Sequence, residues 1–85
     1  MSSGGEKRQA VFERLTAVFH DVFDDDSIRL TEGTTAADIE DWDSLMHVTL
    51  CVAVEKQFRV RLNAMQIARL DNVGKMVDLL LELQH

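Results

Sequence analysis

The stretch Asp41-Trp42-Asp43-Ser44-Leu45 lies almost at the centre of the 85-residue chain. Two carboxylates and a tryptophan lead directly into a serine, and a largely apolar segment follows as far as Phe58. A serine or aspartate before an apolar run is typical of a helix start, because its side-chain oxygen accepts a hydrogen bond from a free backbone N–H. We therefore predict a helix over residues 44–58, with Ser44 as its N-cap or in its first turn.

Three further helices are predicted around this one. Residues 6–23 place apolar side chains at the i, i+3, i+4, i+7 spacing of an amphipathic helix. Asn63 and Gln66 match a capping box that would open a short helix over residues 64–70. Asn72 can cap a last helix, whose apolar stripe comprises Val73, Met76, Val77, Leu80 and Leu81.

The connection between the first two helices is long, about residues 24–42. Connections of this length in small domains are usually functional or held down by apolar contacts, and Ile28, Leu30 and Ile39 are the candidates for such contacts. A short helical turn is expected near residues 35–39. The predicted fold is all-α: a small four-helix bundle with three main helices, one short third helix and a long first loop.

Length and composition favour a single small domain. We expect a flexible tail over residues 1–5 and one domain over residues 6–85, since a chain this short rarely supports two cores. The longest apolar run, residues 50–54, is far below the roughly 18 residues of a membrane span, and the polar start lacks a signal-peptide core. A lone Cys51 permits no internal disulfide. We expect a cytoplasmic monomer that does not bind membranes.

The net charge of −6 is unevenly distributed along the chain. Residues 21–43 carry −8, whereas residues 44–63 carry +2. Nucleic acid is excluded as a partner, because phosphate binding requires a basic surface. A basic protein partner, recognised through the acidic approach to Ser44, fits this distribution.

Catalysis and metal binding both fit poorly. Ser44 and His47 are three residues apart on one helix, where a serine oxygen bonds to the backbone, and no oxyanion hole or nucleophile elbow surrounds them. An EF-hand over residues 21–32 fails, because Phe23 occupies a ligand position and Asp26 replaces the glycine. We therefore predict no catalytic residue and no metal site.

Residues 41–58, DWDSLMHVTLCVAVEKQF, closely resemble the prosthetic-group attachment region of acyl carrier proteins. In that family an Asp-Ser-Leu triplet opens the second helix, and its serine carries 4'-phosphopantetheine in a phosphodiester link. The order of predicted helices matches the family over nearly the whole chain. The resemblance implies that Ser44 receives this group, derived from coenzyme A, from a separate phosphopantetheinyl transferase. A helix start suits a phosphate ester, because free N–H groups and the helix dipole stabilise an anion.

The resemblance implies a carrier and not an enzyme: a protein that holds acyl intermediates as thioesters and presents them to acyl-loading and acyl-transferring enzymes. Carriers of fatty-acid synthesis usually bear several acids on the second and third helices. Here Met46 and Thr49 are uncharged, residues 64–68 lack acids, and the cations are Lys56, Arg59 and Arg61. Residues 42–47, Trp-Asp-Ser-Leu-Met-His, instead resemble the form found in discrete carriers of polyketide and related specialised pathways, and we expect a carrier of that kind. A peptidyl or aminoacyl carrier of a nonribosomal pathway is the closest alternative, and a helical interaction module with Ser44 only as a cap is an alternative of another class.

The second helix has two apolar arcs when residues are placed 100° apart. The wider arc is expected to face the core and holds Leu50, Cys51, Val54 and Phe58. The narrower arc, beside Ser44, is expected to bind partners and holds Leu45, Val48 and Val52. Asp41 and Asp43 should attract basic partner surfaces. Trp42 is expected to anchor the loop, and His47 to pack locally.

Overall fold

A computed structural model describes the backbone of residues 3–84 and the side chains of residues 6–84. Within this range the chain forms four helices: α1 at Ser3–Phe23, α2 at Ser44–Phe58, α3 at Ala64–Ala68 and α4 at Val73–Leu83. A 3₁₀ turn at Ala36–Asp38 interrupts the long first loop. The predicted all-α bundle with a short third helix is confirmed. The described residues contain no β-strand, and their one β-type pairing is an isolated bridge between Thr35 and Asn72.

The helix boundaries agree with the sequence except at two places. α1 begins at Ser3, three residues before the predicted start, because Gly4 and Gly5 are weak helix formers that hide the true start from a pattern of side chains. It thus takes in part of the predicted tail, whose first residues, Met1 and Ser2, lie outside the described range, as does His85. α3 ends at Ala68, because the chain turns there and buries Leu70 in the core.

The core forms where α1 packs against both α2 and α4. Each of these helices contributes one apolar face, and the loop and the segment after α3 add single residues. Completely or almost completely buried side chains fill the centre, namely Leu15, Phe19, Leu50, Cys51, Val73, Val77 and Leu80. The wide arc of α2 therefore faces inward as predicted. None of the helices in the described range is both long enough and apolar enough to cross a membrane.

The long first loop is fastened to α4. The N–H of Gly74 donates to the Glu32 carbonyl at 2.8 Å, and the N–H of Val73 donates to the Thr34 carbonyl at 2.9 Å. Leu30 is buried, and Ile28 and Ile39 pack against the core, so all three predicted apolar anchors are confirmed. Because these contacts fix the loop, its last residues enter α2 in a defined position.

Candidate functional site

Asp43 caps α2, and Ser44 is the first residue of the helix. Asp43 has an extended backbone, and its Oδ1 accepts a hydrogen bond from the N–H of Met46 at 2.9 Å. A carboxylate at this position also interacts favourably with the helix dipole. The cap role considered for Ser44 therefore belongs to Asp43. Ser44 is exposed, and its hydroxyl makes no hydrogen bond to any residue that the structure describes.

Trp42 holds the loop against the bundle, as the sequence predicts. It is buried, and its ring meets the Phe19 ring edge-on with a centroid separation of 5.2 Å. Phe23 lies on the same side, at 6.5 Å. Such edge-to-face pairs add stability beyond the apolar area they bury. Asp41 and Asp43, on either side of Trp42, are exposed. Because the tryptophan between them is buried, it fixes the backbone that carries both carboxylates.

His47 connects three elements of the fold. Its Nδ1 accepts a hydrogen bond from the indole N–H of Trp42 at 3.0 Å. Because an indole N–H can only donate, the proton of the neutral imidazole is on Nε2. Nε2 lies 2.9 Å from the carbonyl oxygen of Ile67 on α3 and donates to it. His47 thus ties the loop, α2 and α3 together beside Ser44.

The packing role expected for His47 is confirmed, but its hydrogen bonds to Trp42 and Ile67 were not predicted. Trp42 and His47 occupy the positions just before the cap and four residues into the helix, where side chains commonly meet across a helix start. This spacing was a signal that could have revealed the pair. Both ring nitrogens are occupied, so His47 has no free acceptor with which to activate Ser44 as a nucleophile.

An open groove of about 590 Å³ lies next to Ser44. The 3₁₀ turn, the start of α2 and the residues that follow α3 form its walls. Its lining includes Ala36, Trp42, His47, Ala68 and Leu70. A flexible group attached to the Ser44 hydroxyl has room to extend along this groove or into solvent. The site therefore consists of one accessible hydroxyl at a helix start, with space beside it.

The narrow arc of α2 forms an exposed surface, which we call the apolar ridge: Leu45, Val48 and Val52. Their exposed fractions are 75%, 53% and 43%, in contrast to the buried arc on the other side of the helix. Met65 on α3 is also exposed, at 65%, although no sequence pattern marked it as a candidate. Asp41 and Asp43 are exposed at the Ser44 end of the ridge. Large apolar side chains exposed together often mark an interaction surface.

Neither the Cys51 thiol nor a metal site adds reactivity to the described part of the domain. Cys51 is buried, and this burial, with a smaller contribution from the Glu55 carboxylate, raises the pKa of its thiol to about 11. The thiol is therefore protonated near neutral pH and is not a nucleophile. Among the described residues, no group of histidine, cysteine and carboxylate side chains could hold a metal ion.

Within the described residues, a small helical bundle presents the unengaged hydroxyl of Ser44 at the start of α2, an arrangement that is compatible with a carrier domain. Comparison with known families agrees, because residues 13–80 match the profile of the phosphopantetheine attachment site. Among solved structures, the chain resembles the holo acyl carrier protein of Geobacter metallireducens, determined by solution NMR. The two share 41% sequence identity over 86% of this chain and 84% of that one, with a TM-score of 0.81. A search of curated proteins found no match.

The chain therefore belongs to the acyl carrier protein family, whose members carry covalently bound 4'-phosphopantetheine and are not themselves catalytic. The family predicted from residues 41–58 is confirmed. Proteins of this family interact with a phosphopantetheinyl transferase and with biosynthetic enzymes. The described site fits the prosthetic group, since a phosphodiester needs an accessible hydroxyl and a helix start favours its negative charge.

Proposed function

We propose that Ser44 is the residue that bears 4'-phosphopantetheine and that the protein serves polyketide or related specialised biosynthesis. The observation that carries the first part is the free, exposed Ser44 hydroxyl in the first turn of α2. Ser27 is the other serine whose side chain is described, and its hydroxyl donates to the Asp25 carboxylate in a loop. Ser44 thus offers both a free hydroxyl and a helix start.

The residues around Ser44 support the attached group in two ways. The N–H groups of Ser44 and Leu45 belong to the first turn and have no partner within the helix, so they are available to a phosphodiester oxygen. The groove lined by Ala36, His47 and Leu70 gives an extended arm a place to lie. When bound, the group supplies a terminal thiol that carries acyl groups as thioesters.

Partner enzymes are proposed to dock on the apolar ridge. Leu45 adjoins Ser44, and Val48 and Val52 continue the same exposed face by one and two helical turns. Docking there would bring the arm on Ser44 to the partner's active site while the buried side of the helix stays intact. Asp41 and Asp43 would attract basic surfaces, first of all that of the phosphopantetheinyl transferase.

The choice of specialised biosynthesis rests on the charges of α2 and α3. The only acidic residue of α2 is Glu55, and α3 has none, whereas Lys56 and the two arginines that follow α2 are basic. This departs from the acidic second and third helices usual in carriers of fatty-acid synthesis. A peptidyl or aminoacyl carrier is the second candidate, since it would use the same serine and fold.

The test is intact-mass measurement after incubation with coenzyme A and a broad-specificity phosphopantetheinyl transferase. We expect the wild-type protein to gain one phosphopantetheine. Ser44→Ala should gain none while keeping its helical circular-dichroism spectrum, and Ser27→Ala should be modified like the wild type. Modification of Ser44→Ala would refute the assignment. Weighing the acyl or aminoacyl group loaded in the native host then separates the two kinds of pathway.

A further inference from the structure

The exposed face of α2 that contains the apolar ridge, together with the exposed residues just before and after the helix, is called the docking face here. Its charge changes sign along α2. Before the helix, four exposed carboxylates occur without a cation between them, on Asp38, Glu40, Asp41 and Asp43. After the apolar ridge the sign changes, and Lys56, Arg59 and Arg61 carry the exposed charges. We call these three residues the basic end of α2. The face is therefore acidic beside Ser44, apolar in the middle and basic at the far end.

The basic end is not neutralised by the described part of the domain. None of its three cations forms an ion pair with a side chain that the structure describes, although Arg8 and Lys75 elsewhere do. The nearest carboxylate in sequence, that of Glu55, is half-buried and accepts a hydrogen bond from the N–H of Leu62 at 2.7 Å. The Glu55 carboxylate therefore binds the turn that follows α2 and forms no ion pair with the basic end. The three positive charges remain available to a partner.

Arg59 occupies a position that local backbone preference would give to another residue. It ends α2 in the left-handed conformation, with φ of 56° and ψ of 46°. Helices commonly end with such a residue, but it is usually glycine or asparagine, because a Cβ is strained there. The chain nevertheless has an arginine here, and its exposed cation lies at the end of the docking face despite the backbone strain. Strain of this kind often accompanies a functional side chain.

Lys56 lies on the same outward face as the ridge. It follows Val52 by four residues and Leu45 by eleven, which are helical repeats that keep side chains in line. At the α-helical rise, Leu45 and Lys56 are about 16 Å apart along the axis. A partner that covers the whole face must therefore present three regions: a basic region near the opening that receives the arm, an apolar depression, and an acidic region. The acidic region must lie about 16 Å from the contact with Leu45.

We propose that the basic end of α2 docks on an acidic patch of the enzyme that loads the acyl group, an inference that rests on the proposed carrier function. A protein partner fits better than an anionic membrane or a nucleic acid. Either of those would repel the acidic residues at the other end of the same face, and the whole chain carries a net charge of −6. A protein surface can complement both ends at once.

The experiment uses the holo-protein and its acyl-loading enzyme, purified from the source cells by following acylation of the holo-protein. Conversion to the holo form is verified by intact mass for every variant. We expect Lys56→Glu to raise KM for the carrier about three- to tenfold with kcat unchanged, and the difference to shrink as salt is added. Arg59→Gly should also raise KM, because it removes a cation of the basic end. It should raise the melting temperature as well, because the glycine relieves the strain. A purely structural role for Arg59 would not give this combination.

Arg29 supplies the matched controls, since it is exposed in the long loop and forms no ion pair with a described side chain. Arg29→Glu and Arg29→Gly should leave KM close to the wild-type value. Failure of the wild-type protein to take up phosphopantetheine would refute the carrier function itself. If every variant becomes holo and keeps the wild-type KM, the acidic-patch proposal alone is overturned. It is also overturned if Lys56→Glu leaves KM unchanged but abolishes binding to vesicles of phosphatidylcholine and phosphatidylserine.

Discussion

At the residue scale, Asp43 combines a structural and an electrostatic contribution that two substitutions can separate. Asp43→Asn keeps an oxygen that can accept from the Met46 N–H, whereas Asp43→Ala removes both the cap and the charge. We expect the alanine variant to lose about 1 kcal/mol of stability and the asparagine variant only a few tenths. Thermal melts measure this difference.

The charge of Asp43 is tested by the rate of phosphopantetheine attachment. Both Asp43→Asn and Asp41→Asn should be modified more slowly than the wild type at low salt, because they weaken attraction to a basic transferase. The difference should diminish at high salt, where the charges are screened. Equal rates for all three proteins at low salt would exclude steering by these carboxylates.

Cys51 makes the stability of the domain depend on pH in the alkaline range. Burial raises the pKa of its thiol from 9.0 to about 11, so the unfolded chain loses this proton at lower pH than the folded one. The contribution is fully present below pH 9 and is lost progressively as the pH rises towards 11. Between pH 8 and 10 we expect a loss of about 1 kcal/mol in the free energy of unfolding.

Urea denaturation at several pH values measures this loss. Cys51→Ala lacks the titrating thiol and should show a smaller decrease over the same range, which separates Cys51 from the lysines and other groups that titrate there. Equal slopes in the two proteins would mean that folding does not raise the pKa of the Cys51 thiol. Alkylation of the native thiol at pH 8 should likewise be slow, because the thiol is buried.

At the scale of the element, two substitutions in α2 test how the helix divides its apolar residues between core and surface. Val54 is 4% exposed and Val52 is 43% exposed, although they are two residues apart. Val54→Asp would bury an unpaired charge, so we expect it to unfold the domain or remove more than about 3 kcal/mol. Val52→Asp should change stability by less than about 0.5 kcal/mol but weaken processing by partner enzymes. Circular-dichroism melts compare the two, and greater destabilisation by Val52→Asp would contradict the assignment of faces.

At the scale of the whole molecule, the attachment of the long loop to α4 depends on a close approach at Gly74. A Cβ at this residue would lie 2.9 Å from the Glu32 main-chain oxygen, which accepts the hydrogen bond of the Gly74 N–H. Gly74→Ala must therefore push the loop away, and we expect a loss of about 1–3 kcal/mol. Gly33→Ala is the control, because nothing lies within 4 Å of its Cβ position. It should be neutral or stabilising by up to about 1 kcal/mol. Similar losses in both variants would rule out the steric explanation.

Local signals made most of the fold predictable. Asn63 and Asn72 are capping residues whose side chains bond to the helix they open, so the starts of α3 and α4 could be read directly. The start of α1 could not, since two glycines provide neither periodicity nor a cap. The end of α3 was also missed, because burial of Leu70 depends on the rest of the bundle.

The sequence by itself determined the class of fold, the family and the place of Ser44 at a helix start, because these depend on periodicity and on residues close together in the chain. Helical period alone does not say which arc of α2 is buried; the width of the arcs predicted it, and packing against α1 decided how completely each residue of the wide arc is buried. Tertiary structure also decided that His47 links Trp42 to the Ile67 carbonyl, a contact across twenty residues of chain. Such contacts form only when separate elements meet, and no local pattern specifies both partners.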